Sequence, residues 1–217
     1  MKPYNLRSSV LYAAAPRLSS SGLEAAAFFG LKKSHFDDRL IRPAMDINIY
    51  AGDICLITGA SGSGKTQLLE EFFYSAAPLA CMADANPAEA GRPLIDQLGG
   101  TVFERLKSLY ACGIREAYTM FSTPKQLSRG ECFRFELCRA ILSGKRLIFC
   151  DEFCSCLDDL SGAALCRHIR ELANRDGYSF VLSSANEEIA KALKPDIIIY
   201  TNAQSQPVIR FQKRELP

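Results

Sequence analysis

The stretch Gly59-Ala-Ser-Gly-Ser-Gly-Lys-Thr66 decides how this chain is read. It fits G-x-x-x-x-G-K-[ST], and its flanks are those the motif needs. Asp53-Ile-Cys-Leu-Ile-Thr58 before it is an apolar run of strand length, and Gln67-Leu-Leu-Glu-Glu-Phe-Phe-Tyr74 after it has helical spacing. The loop from Gly59 through Ala60, Ser61, Gly62, Ser63 and Gly64 to Gln67 is expected to bind phosphate. Its glycines let backbone N–H groups turn inward onto β- and γ-phosphate oxygens, and the positive end of the following helix adds to that field. Lys65 brings a point charge and Thr66 an oxygen for Mg²⁺. A bound nucleoside triphosphate is the direct implication.

A phosphate loop alone does not say how the triphosphate is used, and the second half of the chain bears on that. Arg146-Leu-Ile-Phe-Cys150 is another buried-strand run, and it ends in Asp151-Glu152. Asp151, at the strand's carboxyl end, is expected to hold Mg²⁺ through water. Glu152 is expected to polarise a water for in-line attack on the γ-phosphate. The competing reading of the pair is a solvated acidic turn.

Upstream, Gln126-Leu-Ser-Arg-Gly-Glu131 opens a helix that continues through Cys132-Phe-Arg-Phe-Glu-Leu-Cys-Arg-Ala-Ile-Leu142, with Ser128 as N-cap and Glu131 as its capping-box partner. Leu127-Ser-Arg-Gly-Glu131 followed by Arg139-Ala140 resembles the signature motif of the ATP-binding cassette (ABC) ATPases. The order phosphate loop (Walker A), signature, acidic strand (Walker B), then Ser155-Cys-Leu-Asp158 as D-loop, matches that family over about residues 23 to 200. The resemblance implies an α/β fold, a P-loop NTPase of ABC type. Its mainly parallel sheet is flanked by helices and carries an antiparallel β edge and a small helical subdomain, at about residues 84–142. It also implies ATP and Mg²⁺ as ligands and hydrolysis of ATP. Phe36 stands where the family stacks an aromatic ring on adenine; the other reading is a core phenylalanine. A head-to-tail homodimer is implied as well, in which Ser128, Gly130 and Asp158 complete the nucleotide site across the subunit boundary.

Three departures from the family pattern bear on function. The position of the family's switch histidine is Ala185, in Phe180-Val-Leu-Ser-Ser-Ala-Asn186, and the chain's two histidines, His35 and His168, lie elsewhere in the sequence. Ser184 and Asn186 are the nearest polar side chains for holding the attacking water, yet neither shares a proton or carries positive charge, so slow hydrolysis is expected. Second, no glutamine obviously fills the family's Mg²⁺-contacting position after the phosphate loop; Asp84, Asn86 and Gln97 are the candidates. Third, Arg129 stands where the signature usually has a small residue.

Pro93-Leu-Ile-Asp-Gln97, Asp151-Glu-Phe-Cys-Ser-Cys-Leu-Asp158 and Leu193-Lys-Pro-Asp196 are similar to soluble ABC-type ATPases that in some proteins are fused to a predicted acetyltransferase domain. No such domain is present in the 217 residues, so any effector protein is expected to be a separate chain. Residues 1–22, Ser-rich at Leu18-Ser-Ser-Ser-Gly22, are expected to form a flexible arm ahead of a single ATPase domain at 23–217. Gly22 to Thr58 is expected to be an edge β region. Hydrophobic residues make up 48% of the chain and the net charge is only +2, so a large core is within reach and nucleic acid is left as a partner without support from charge. Val10-Leu-Tyr-Ala-Ala-Ala15 is too short an apolar run for a signal peptide or a membrane span, which points to a cytoplasmic location, with any membrane contact made through a separate subunit. The nine cysteines lack zinc-knuckle spacing and are expected to be free thiols, with Cys154 and Cys156 as candidates for a redox-sensitive D-loop. The alternatives left open are a soluble regulatory or nucleic-acid-associated ATPase, the ATP-binding subunit of a transporter, and a non-hydrolysing, nucleotide-gated scaffold.

Overall fold

Alternating and continuous apolar runs set the strands of this computed structural model, which describes residues 2–13, 16–37, 39–83, 88–186, 188–202 and 205–212. In chain order the elements are β1 (Tyr4–Ser8), β2 (Leu11–Ala13), α1 (Ser20–Phe28), β3 (Arg39–Arg42), β4 (Met45–Ile49), β5 (Ile54–Thr58), α2 (Lys65–Ala76) and β6 (Ala80–Met82). There follow α3 (Val102–Ala111), α4 (Ala117–Phe121), α5 (Arg129–Ile141), β7 (Leu147–Cys150), α6 (Asp159–Asp176), β8 (Ser179–Ser184), α7 (Glu188–Leu193), β9 (Ile197–Asn202) and β10 (Ser205–Phe211).

Six strands form the main sheet in the order β10-β9-β5-β8-β7-β6. All neighbours are parallel except β10, which returns antiparallel along β9. Parallel strands covered on both faces are largely apolar, and β5, β7 and β8 are buried throughout, the serine hydroxyls of β8 each meeting a hydrogen-bond partner. Alternate residues then feed two cores. Ile54, Leu56, Ile148, Phe180 and Leu182 face a cluster shared with Phe135, Leu137, Leu165 and Ile169 of α5 and α6. Cys55, Ile57, Phe149 and Val181 face the other side, with Leu68, Leu69 and Phe72 of α2 and with Leu6, Ile47 and Ile49 of β1 and β4. The Asp196 carboxylate accepts from the Ile54 N–H at 2.8 Å and pairs with Arg170 at 3.1 Å, tying the start of β5 to the approach to β9 and to α6.

The expected mobile arm is instead partly built into the fold. Tyr4–Ser8 pairs antiparallel with Met45–Ile49, and Leu6, fully buried, sits opposite Ile47. Tyr-Asn-Leu-Arg-Ser alternates apolar and polar side chains, the period of a half-buried strand. Ser9 donates from its N–H and hydroxyl to Glu71 on α2, and Arg42 pairs with the same carboxylate at 2.8 Å. The stretch expected as an edge β region is likewise interrupted by α1, capped by Ser19, whose hydroxyl accepts from the Gly22 N–H. The antiparallel edge is two separate ladders, β1 with β4 and β2 with β3.

Candidate phosphate-binding site

The sheet order sets the site. β5, β8 and β7 lie side by side and parallel, so their carboxyl ends deliver Gly59, Ser184 and Asp151 to one edge. Ligands in open α/β sheets collect at that edge. A cavity of about 500 Å³ opens there. Its walls are Ser61, Gly62, Gly64, Lys65, Thr66, Gln67 and Glu70 from the loop and α2, Asp151, Glu152 and Ser155 after β7, and Ser183, Ser184 and Ala185 at the end of β8.

Local chemistry shapes the loop. Gly59 has φ +147°, and a Cβ placed there would lie 2.1 Å from the Thr201 carbonyl oxygen of β9, so only glycine fits. Ser63 is buried, and its hydroxyl donates to Thr201 Oγ1 at 2.7 Å, while Thr201 in turn donates to the Thr58 carbonyl at 3.2 Å. The Ser63 side chain therefore braces the loop and does not face the cavity. Gly64, left-handed at φ +85°, is the N-cap of α2. Lys65 Nζ donates to the carbonyls of Gly59 and Ala60, both at 2.9 Å, which holds the ammonium over the loop.

Thr66 Oγ1 donates to Asp151 Oδ2 at 2.8 Å. Asp151 Oδ1 accepts from the Ser183 hydroxyl, and the Glu152 N–H donates to the same hydroxyl at 3.1 Å. Glu152 adopts a left-handed conformation, φ +46°, and its Oε2 accepts from Ser155 Oγ at 3.4 Å. A threonine hydroxyl and a carboxylate in contact form a hard-oxygen pair, the donor chemistry Mg²⁺ takes, so these residues fit that ion.

Lys65, Thr66, Gln67, Asp151 and Glu152 thus meet with Ser61, Gly62 and Gly64 around one cavity, as the motif spacing implies. The other expected residues lie outside its walls. Ser128 caps α5, its hydroxyl donating to Glu131 at 2.7 Å; these hydrogen bonds hold the Glu131 carboxyl below the usual glutamate range. Gly130 packs its α-carbon face toward Leu157 and the Cys156 carbonyl. Asp158 caps α6 through the Ser161 N–H at 2.9 Å. Phe36 is half-buried at the end of a short 3-10 turn spanning Lys33–Phe36.

Of the candidates for the missing glutamine, Asp84 and Asn86 lie outside the described residues. Gln97 turns away from the cavity: its amide donates to the carbonyls of Glu89 and Arg92 and accepts from the Glu89 N–H at 2.7 Å, bracing that turn. Arg129 is exposed at the start of α5. Ala185 lines the cavity, whereas His35 Nδ1 bonds the Lys32 backbone and His168 sits half-buried on α6. The Cys154 and Cys156 side chains diverge. Cys156 is exposed, its Sγ 3.8 Å from the Arg129 carbonyl, while Cys154 is buried and hydrogen-bonded with Cys166 of α6. Glu70 and Ser183 were not singled out from the sequence, and Ser155 only as the first residue of the D-loop. Glu70 stands four residues after Thr66, one helical turn on the same face, and that spacing was the available signal for it.

No protein-family model matches the chain. Among curated proteins it is 25% identical over 196 residues to the macrolide export ATP-binding/permease protein MacB of Escherichia coli, covering 72% of this chain and 30% of that protein. It is 27% identical over 209 residues to the pyoverdine export ATP-binding/permease protein PvdT of Pseudomonas fluorescens, covering 77% and 32%. The chain spans about a third of the length of these curated relatives. Among solved structures, the ATP-binding cassette MJ0796, in a dimeric post-hydrolysis state bound to ADP and Pi, superposes with a TM-score of 0.67 at 16% identity over 98% of both chains. An ATP-bound bacterial Atm1-family ABC exporter gives 0.65 at 13% identity, covering 94% of this chain and 38% of that one. The chain has the fold of an ABC-type ATP-binding cassette, an α/β fold with a mostly parallel sheet and an antiparallel β edge.

Proposed function

We propose that the chain is an ATP-hydrolysing cassette, slow in turnover, that works as an ATP-dependent head-to-tail dimer to drive or gate a separate partner protein. The observation that carries this is the Thr66–Asp151 hydrogen bond, which brings the phosphate loop and the acidic strand end into one cavity with Lys65 and Glu152 on its walls.

Each residue is then assigned a role. The loop N–H groups and Lys65 bind the β- and γ-phosphates. Thr66 and Asp151 would hold Mg²⁺, which when bound neutralises charge building on the phosphate oxygens. Glu152 accepts a proton from the attacking water, its carboxylate steadied by Ser155. Ala185 offers no proton shuttle beside the γ-phosphate, which is why turnover is slow. Phe36 stacks on adenine. Ser61, Gly62, Thr66 and Gln67 are exposed, as are Ser128 and Asp158, so the nucleotide meets solvent on one side and a second subunit's Ser128, Gly130 and Asp158 can close over it. The segment at about 84–142 acts as the helical subdomain of a single domain, and the protein works in the cytoplasm.

A second reading, the ATP-binding subunit of a transporter, is favoured by one surface. Val102, Phe103 and Tyr110 on α3 and Tyr118 and Phe121 on α4 are all exposed, an apolar face suited to a protein partner, and the relatives named above are export proteins. The likeness to acetyltransferase-fused ATPases favours a soluble effector instead. Replacing Glu152 with Gln tests the dimer: trapped ATP should give a doubled mass by light scattering, and a monomer at saturating Mg-ATP would refute it.

A further inference from the structure

We propose that Ser183 is a positioning residue for the hydrolytic centre, dividing the two carboxylate oxygens of Asp151 between a protein clamp and the metal. Ser183 is 1% exposed, a buried hydroxyl near the carboxyl end of β8, and such a group persists only where its hydrogen bonds are met. Its hydroxyl donates to Asp151 Oδ1 and accepts from the Glu152 N–H at 3.1 Å. Its carbonyl accepts from the Phe153 N–H at 2.7 Å, and the neighbouring Ser184 hydroxyl donates to the Phe153 carbonyl at 3.2 Å. Three consecutive residues, Asp151, Glu152 and Phe153, are laced to the end of β8.

The consequences are geometric. With Oδ1 occupied, Asp151 can turn only Oδ2 toward Thr66, where it lies 2.8 Å from Oγ1. Glu152, a non-glycine residue at φ +46°, lies in the left-handed region that side chains disfavour, and the bond from its N–H to Ser183 is among the contacts that hold it there. One hydroxyl therefore orients both the metal-holding carboxylate and the backbone that aims the general base. Outer partners of metal-holding carboxylates tune affinity in this way. Although Ser183 lines the cavity, its hydroxyl is engaged by Asp151 and Glu152, and the role assigned to it runs through those two neighbours. The inference rests on the ATPase reading above.

The test is ATP affinity by calorimetry, first in chelator and then across a Mg²⁺ series, for wild type, Ser183→Ala and Ser183→Thr. Without metal, Ser183→Ala should bind ATP within about twofold of wild type, because the phosphate loop is untouched, whereas its half-saturating Mg²⁺ should rise roughly tenfold. Ser183→Thr keeps the hydroxyl and should restore the wild-type Mg²⁺ curve. At saturating metal, Ser183→Ala should lower kcat with KM for Mg-ATP nearly unchanged. An unaltered Mg²⁺ curve in Ser183→Ala overturns the proposal. If Ser183→Ala does not fold, Ser183→Cys, similar in shape but a weak donor, is set against Ser183→Thr, and identical curves overturn it. Wild-type protein that binds Mg-ATP but releases no phosphate would defeat the hydrolytic reading alone, with the Mg²⁺ series still deciding Ser183. Wild-type protein whose ATP affinity ignores Mg²⁺ would defeat both.

Discussion

Thr66 Oγ1 and Asp151 Oδ2 stand 2.8 Å apart, although 85 positions separate them in the chain. The sheet order brings them together: β8 lies between β5 and β7, so the phosphate loop and the acidic strand end flank one cavity. Asp151→Asn keeps the shape and removes the charge. ATP affinity in this variant should lose its dependence on Mg²⁺ while affinity in chelator stays within a few-fold of wild type. Calorimetry with and without the metal checks this.

Lys65 holds its ammonium over the carbonyls of Gly59 and Ala60. Lys65→Ala removes a charge-assisted contact to phosphate worth about 1.5–3 kcal/mol, a loss of roughly 10- to 100-fold in ATP affinity. Fold and melting temperature should be little changed, because the carbonyls it leaves can turn to water. A fluorescent ATP analogue in a displacement titration measures the change.

Gly59 leaves no room for a side chain against Thr201. Gly59→Ala forces the loop off β9, and a thermal melt should show a loss of roughly 1–3 kcal/mol together with failure to bind ATP. Thr201→Ala is the milder counterpart: it frees the Ser63 hydroxyl, and should weaken ATP binding less than Gly59→Ala does.

Ser128 caps α5 and lies outside the cavity. Ser128→Ala should leave ATP binding by the isolated subunit intact while reducing turnover, as the proposed dimer places Ser128 on the partner subunit's nucleotide, and the lost cap should cost about 1 kcal/mol of stability. The cost depends on pH with a definite sign. Hydrogen bonds from Ser128 hold the Glu131 carboxyl below its usual range, so their stabilisation is present above the unfolded glutamate pKa of about 4.3 and fades as pH falls through the lower folded value. The gap between the urea melts of wild type and Ser128→Ala should therefore be wider at pH 7 than in acid, where the cap bond to the Glu131 N–H is what still separates them.

The strands and helices around the motifs were legible because buried parallel strands are largely apolar and capped helices announce their starts. Ile54–Thr58, Leu147–Cys150 and the helix from Ser128 follow those rules directly. Tyr4–Ser8 was missed because its alternation is short and was outweighed by the serine-rich stretch at Leu18–Gly22 that follows. At the candidate site, motif spacing pointed to Lys65, Thr66, Asp151 and Glu152, which line one cavity, but not to Ser183 beside them. A serine in a strand carries no periodic signal, and its importance appears only when β8 is seen between β5 and β7. Gln97 illustrates the converse: a suitable residue type in a suitable region, spent on the local turn at Glu89 and Arg92.

Hydrolysis of ATP in this cavity, with Glu152 as the base, is decided by steady-state phosphate release from Mg-ATP, measured for wild type, Lys65→Ala and Glu152→Gln purified identically. Slow release by wild type, lost in both variants while Glu152→Gln still binds ATP, is the predicted result. Release that persists undiminished in Glu152→Gln, or wild-type protein that binds Mg-ATP without any turnover, would contradict it.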